Sequence, residues 1–298
     1  MDTAVGFAFV ILWASASIAA KFGFKDAAPL TVLDLRFALA AVIILTYLHV
    51  VRRRALPARG DWRHLVVLGF TNSTGYLGLA WLALQHVSVG LFGLFIATNP
   101  FLVALLSRAW LGRVVTSREW TGMAISAAGL GLATSRSLHS SHTTTAGVLM
   151  TVGSMLIYSF GMVYLKRCGI TLAGTVLNGW QIGLGALFLL PFALAMNGHH
   201  HLHVSWRLAG ALAWSVFAVS LLANAIWFHL LRKDPVRNST WLFLTPVFGY
   251  VEAAIVLGEK IKPTDLIGMA LVLAGLTVAG TLDLGNLRRR RPAEARTG

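Results

Sequence analysis

Few residues in this sequence can do chemistry, and they sit in apolar surroundings. Glu252 lies in the apolar run 238–257, after Trp241, Thr245 and Phe248 at spacings of four, three and four. A helix puts all four on one face. An ionisable group inside such a run costs about 2.5–3.5 kcal/mol to place in a bilayer, so it marks a functional position by default. A carboxyl there suits carriage of a proton or contact with an ammonium group. The plainer alternative is an ion pair or hydrogen bond that fixes two helices. Further polar and aromatic groups are scattered along the other runs. Singly, each supports a helix–helix hydrogen bond worth about 0.6 kcal/mol. Together they exceed what packing needs and predict a cavity. The first run offers Trp13 and Ser17, the third Asn72, Tyr76 and Trp81, and the fourth Thr98 and Asn99. The sixth offers Tyr158, the eighth Asn224, and the ninth Trp241, Thr245 and Phe248, with Glu252 as the candidate for proton coupling. These runs are the predicted cavity walls.

The remaining chemical groups read more plainly. Arg36 follows Asp34, and its first reading is as the partner of that carboxyl, its second as an attractor of a substrate carboxylate. Glu259, beside Lys260 and Lys262, reads as a cap or a loop salt bridge. His229 is a lone histidine that hydrogen bonding would satisfy. The stretch from His199 to His203 has metal-binding composition but reads as a solvated turn. No metal or cofactor is expected, and the single Cys168 gives no disulfide within the chain. Enzyme signatures are missing: no His-Glu-x-x-His helix, no paired aspartates in facing runs and no Gly-x-Ser-x-Gly loop.

The elements that must position these groups follow from composition. Of 298 residues, 56% are hydrophobic and 12% charged, with a mean hydropathy of +0.71. A soluble domain carries about twice that charge. Ten runs approach the ~20 apolar residues of a membrane span: 3–21, 32–51, 64–84, 89–110, 120–135, 146–166, 173–196, 207–231, 238–257 and 266–284. The net charge of +14 lies in the short loops between them, which marks membrane orientation rather than nucleic-acid binding. With a cytoplasmic N-terminus, the inside loops and tail hold 17 Lys and Arg residues and the outside segments 7. That split predicts a multi-pass protein of the cell inner membrane with both termini cytoplasmic. The first run has no positive flank or small-residue cleavage site, and is expected to remain as the first span.

A shift of 146 residues aligns the two halves. Pro100 falls on Pro246, Leu111-Gly112 on Leu257-Gly258, Gly122 on Gly268 and Gly129-Leu130 on Gly275-Leu276. Trp81 falls on Trp227, Gly23 on Gly169, and Lys21 on Arg167. Each half holds five spans, so the second enters the membrane inverted. The predicted architecture is an all-α membrane protein of ten transmembrane helices in two inverted five-helix repeats. The first repeat covers 1–140 and the second 141–285, with a basic cytoplasmic tail over 286–298. Inverted repeats are usual in secondary transporters, whose substrate site lies near mid-membrane between the halves. Pro100 and Pro246 are expected inside spans four and nine as paired kinks or hinges. The glycines of spans five and ten are expected to serve helix packing.

The pattern Pro246 … Leu257-Gly258-Glu259-Lys260 … Leu266-Ile267-Gly268 … Gly275 resembles the signature of the EamA branch of the drug/metabolite transporter superfamily. Trp13, Pro29 and Arg36 resemble that family's first repeat. Arg113 departs from it, standing where the family usually has Glu. The resemblance implies a ten-helix carrier of small metabolites, proton-linked or facilitative and often an exporter, and includes aromatic amino-acid exporters. The aromatic and amide groups favour amino acids, particularly aromatic or hydrophobic ones. Nucleosides and cationic drugs are the competing cargoes, and a non-transporting scaffold or enzyme the competing classes. The expected partners are a small-molecule substrate, the lipid bilayer and protons as the candidate coupling ion. Nucleic acid is not among them, and the protein is expected as a monomer or weak dimer.

Overall fold

The computed structural model describes residues 2–138, 143–197, 202–233, 241 and 244–280. Among these residues there are helices and no strands. The first five rods are α1 (Asp2–Gly23), α2 (Pro29–Val51), α3 (Trp62–Ala83), α4 (Val89–Leu111) and α5 (Ser117–Leu138). The next two are α6 (Thr145–Cys168) and α7 (Gly174–Asn197). α8 runs as Trp206–Ala213, Trp214–Ala223 and Asn224–Lys233 without interruption, followed by α9 (Thr245–Leu257) and α10 (Pro263–Val278). Seven of the rods, α1 to α4 and α6 to α8, contain stretches long and apolar enough to cross a membrane. The described parts of α9 and α10 are apolar but shorter, and α5 carries Arg118, Glu119 and Arg136 at its ends.

Local sequence sets the helix ends. Ser88, Thr144 and Ser205 accept from the backbone three residues on and start α4, α6 and α8, as N-cap hydroxyls do. Gly112 and Gly258 end α4 and α9 in the left-handed region at φ 67° and 68°, where a side chain is strained. The N–H groups of Gly112 and Arg113 both return to the Ser107 carbonyl. Those of Gly258 and Glu259 return to Ala253 in the same way. The same geometry thus recurs at repeat-equivalent positions.

Other features recur at that spacing. Glu119 accepts from the Thr116 N–H and Asp265 from the Lys262 N–H, each opening its helix. α3 widens into a π-helical turn over Gly69–Gly75, and α8 over Trp214–Ala223. Ser126 donates to the Val272 carbonyl, 146 residues away. This last bond joins α5 to α10, which lie against each other along their lengths. A Cβ on Gly122 would run into the Gly275 carbonyl, and one on Gly129 into Leu271 and the Gly268 carbonyl. These glycines let the two backbones approach closely.

The two proline positions differ. Pro100 lies within α4, where it leaves the Ile96 carbonyl without its helical donor. Pro246 lies in the first turn of α9 rather than in a helix interior. There the missing N–H is one that the first helical turn leaves unpaired anyway, so the two prolines differ in their place within the described helices. The main core draws buried residues from all ten helices, around Leu33, Phe37, Leu91, Leu94 and Leu276. A second, smaller core holds Phe9, Val10, Ala223, Leu230 and Trp241.

Candidate functional site

The widened turn of α3 positions one wall of a central cavity. Its side chains bind α7: Asn72 Nδ2 donates to Gln181 Oε1 at 3.3 Å, Ser73 Oγ to the Gln181 carbonyl at 3.1 Å, and Thr74 Oγ1 to the Gly185 carbonyl at 3.0 Å. One turn later Tyr76 meets Tyr158 of α6, ring centroids 4.5 Å apart. The widened stretch of α8 carries Ser220, which accepts from Arg36 Nε at 3.1 Å. π-Helical turns of this kind are frequent at functional sites. The cavity they enclose has a volume of about 330 Å³ and takes its walls from α1, α2, α3, α4, α6, α7, α8 and α9.

Trp13, Ser17, Asn72, Tyr76, Trp81, Tyr158, Asn224 and Thr245 line this cavity. Four residues predicted beside them are used elsewhere. Thr98 Oγ1 donates to the Phe95 carbonyl within its own helix. Asn99 Nδ2 reaches Ser159 Oγ at 2.9 Å and the Met155 carbonyl at 3.4 Å, fastening α4 to α6. Trp241 packs edge-on against Phe7 at 5.1 Å, and Phe248 lies 6.0 Å from the same ring. Both face α1 rather than the cavity.

Glu252 is not in the cavity wall. Both its carboxyl oxygens are buried without a hydrogen-bond partner among the described residues. Asp34 and Arg36 do not meet: residues two apart on a helix point to different sides, and neither forms an ion pair among the described residues. Arg36 instead enters the cavity wall with Phe37, as do Asn178 and Gln181 of α7. The predicted walls omitted both of these helices. The widened turns that aim Asn72 and Ser220 have no signature in hydrophobic periodicity. Thr245 Oγ1, in the first turn of α9, is buried without a partner among the described residues.

Near one end of the cavity, α1, α4 and α9 are tied together. Lys21 of α1 donates from Nζ to Glu259 Oε1 at 3.1 Å and to the Val87 carbonyl at 3.3 Å. The Glu259 carboxylate also accepts from the Val89 N–H at 3.2 Å and 3.3 Å, capping α4. Tyr250 of α9 closes against Gly90, where a Cβ would strike its ring. At the same end Asp26, in the α1–α2 connection, accepts from Arg207 Nε at 2.7 Å and Nη2 at 2.6 Å and from Ser205 Oγ at 2.8 Å. His203 donates its backbone N–H to the Asp26 carbonyl, while His199, His200 and His201 lie outside the described residues. Among the described residues no three His, Cys, Asp or Glu side chains group as a metal site.

This arrangement can hold one small solute among aromatic rings, amides and a buried guanidinium, beside an ion-paired tie between helices. It has relatives. The model of the EamA-like transporter family matches residues 3–135 and again 145–281. An uncharacterized transporter of Archaeoglobus fulgidus is 27% identical over 90% of this chain and 93% of its own. A protein of Streptantibioticus cattleyicolor named a probable terminal-alkyne amino-acid exporter is 29% identical, covering 95% of this chain and 94% of its own. A protein of Salmonella typhimurium named a probable amino-acid metabolite efflux pump is 23% identical over 90% and 91%. A solved crystal structure shares the fold with a TM-score of 0.63 at 17% identity, covering 96% of this chain and 98% of its own. With its family model matched twice along nearly the whole length, the chain is a multi-pass membrane protein that belongs to the EamA-like transporter family.

Proposed function

We propose that the protein is a secondary carrier that exports small amino acids, aromatic or hydrophobic ones first, by alternating access. In this reading ten helices cross the inner membrane as two inverted repeats, 1–140 and 141–285. Both termini are cytoplasmic, and the carrier works as a monomer or weak dimer. The observation that carries the reading is the central cavity. Helices of both halves wall it, and it mixes aromatic rings with amides and one guanidinium. Such a site fits a solute with an apolar body and charged ends. The names of two relatives, a probable terminal-alkyne amino-acid exporter and a probable amino-acid metabolite efflux pump, agree with that cargo. Arg36 disfavours the cationic-drug alternative, because a permanent cation would share a low-dielectric cavity with a like charge.

In the proposed cycle the Lys21–Glu259 tie closes the extracytoplasmic end while cargo loads from the cytoplasm. Breaking it lets α1, α4 and α9 part. Pro100, with its freed Ile96 carbonyl beside the cavity, is the hinge candidate in α4, and Pro246 marks the start of α9. Glu252, unpaired within α9, is the proton-coupling candidate.

Counterflow in proteoliposomes tests the carrier reading. Preloaded phenylalanine should drive uptake of labelled phenylalanine with no chemical change. Product formation, or no exchange across amino acids, nucleosides and amines, would overturn it. Glu252→Gln should fold normally and alter the pH dependence of exchange between about pH 5.5 and pH 8, as loss of a proton-carrying group does. Identical profiles in both proteins would remove Glu252 from the mechanism.

A further inference from the structure

Arg36 is 7% exposed, and no protein carboxylate among the described residues answers its charge. Asp26 is held by Arg207, Glu119 by Arg113 and Glu259 by Lys21. Asp265 accepts from the Lys262 amide. Asp34 and Glu252 form no ion pair among the described residues. A guanidinium carries five N–H donors in a planar fork, and Arg36 uses one of them, Nε, on Ser220. Its central carbon stands 5.7 Å from the Trp81 ring centroid. That cation–π contact offsets part of the cost of burial, but a buried charge without an anion remains unfavourable. Unlike the apolar majority of the lining, this group has unused directional donors.

We infer that Arg36 is the anchor for a carboxylate on the cargo. The inference rests on the carrier reading and names the chemistry the site selects. The terminal N–H pair of the fork matches the two oxygens of a carboxylate. The guanidinium carbon stands over the Trp81 ring, and the paired rings of Tyr76 and Tyr158 stand in the same cavity, where they meet the apolar remainder of the solute. At about 330 Å³ the cavity holds one solute of amino-acid size. It therefore takes small acids and amino acids with an aromatic or aliphatic body. It selects against the corresponding amines and amides.

The test uses purified full-length protein and three probes of one size: phenylalanine, phenylalaninamide and 3-phenylpropionate. Wild type should bind both carboxylates more tightly than the amide. Arg36→Gln should weaken the two carboxylates by about 10- to 100-fold, the usual worth of hydrogen bonds to a charged group, and should not weaken the amide, whose ammonium then meets no like charge. Arg36→Lys should recover part of the loss, because it keeps the charge without the fork. Ser220→Ala should keep the carboxylate preference, because it removes only the protein partner. If Arg36→Gln does not fold, the wild-type preference, its retention in Ser220→Ala and its partial loss in Arg36→Lys decide the matter. Equal weakening of all three probes, an equal affinity of wild type for amide and acid, or no binding of either acid would overturn the assignment. Binding of 3-phenylpropionate through Arg36 without amino-acid exchange would sink the amino-acid reading and leave the anchor standing.

Discussion

The loops after α4 and α9 begin alike and end differently. Both turn on a left-handed glycine, and both send two N–H groups back to one carbonyl. The next residue decides the outcome. Glu259 reaches across the bundle to Lys21 and the Val89 N–H. Its repeat mate Arg113 folds forward onto Glu119, on the helix that follows. The repeat mate of Lys21 is Arg167, which lies over the Trp110 ring at 5.0 Å. One end of the bundle therefore joins α1, α4 and α9 through a carboxylate. The opposite end presents two arginines at the matching places, and like charges cannot make that tie. Two loops with the same backbone hydrogen-bond pattern thus give one end a carboxylate tie between α1, α4 and α9 and the other, among the described residues, no such tie.

The largest expected effect comes from breaking the tie. Glu259→Ala removes an ion pair whose side chains are 25% and 22% exposed, along with the cap of α4. A loss of about 1–2 kcal/mol is expected. Because that energy is concentrated at one end, that end should open. Labelling of Ser17→Cys, in a Cys168→Ser background, by an impermeant maleimide added outside the cell reads this directly. Labelling should rise several-fold in Glu259→Ala. Unchanged labelling would show that Glu259 caps α4 without closing the cavity.

The sequence carried the scaffold of this comparison better than its contents. Gly112, Gly258 and the packing glycines stand out because backbone conformation or close approach excludes other residues, so a matched spacing has a physical cause. Rod positions followed from runs of apolar residues. Side-chain direction was less legible. Asn99, just ahead of Pro100, is as polar as Asn72, but it is spent on Met155 and Ser159. Nothing local to the chain distinguishes the two. Arg36 and Gln181 reach the cavity because α2 and α7 pack together and face inward. That is a tertiary fact, and the π-helical turns that carry their partners Asn72, Ser73 and Ser220 have no sequence signature either. Pro246 matched Pro100 in spacing, yet it opens a helix where Pro100 interrupts one.

The second tie at the tied end gives a smaller effect. Asp26→Asn removes the charge that Arg207 grips with two donors. Arg207, helped by Ser205, holds the Asp26 carboxyl well below the usual carboxylate range despite its burial. A depressed value in the folded state means the contribution is present above the unfolded carboxylate value and is lost only as pH falls through the folded one. Wild type should therefore unfold at a higher temperature than Asp26→Asn at neutral pH. The gap should be no smaller at about pH 5, and should close only in stronger acid. A gap that vanished by about pH 5 would mean that Asp26 titrates as a free carboxyl and ties nothing.

The smallest effect is the most discriminating, because it adds a tie instead of removing one. Arg113→Glu places a carboxylate at the repeat equivalent of Glu259, on the same left-handed turn and opposite Arg167, the equivalent of Lys21. Glu119 keeps its bonds to the Thr116 N–H and hydroxyl, so α5 keeps its start. If the backbone scaffold is as symmetric as its hydrogen bonds, the other end should acquire a weak closure. Exchange should then slow by about two- to fivefold, the worth of one partly exposed ion pair. The slowing should disappear when Arg167→Ala is added, because the new carboxylate then has no cation to meet. Slowing that persists in the double variant would instead trace to loss of the Arg113–Glu119 pair. In that case the two loops would share a shape without sharing a mechanical role.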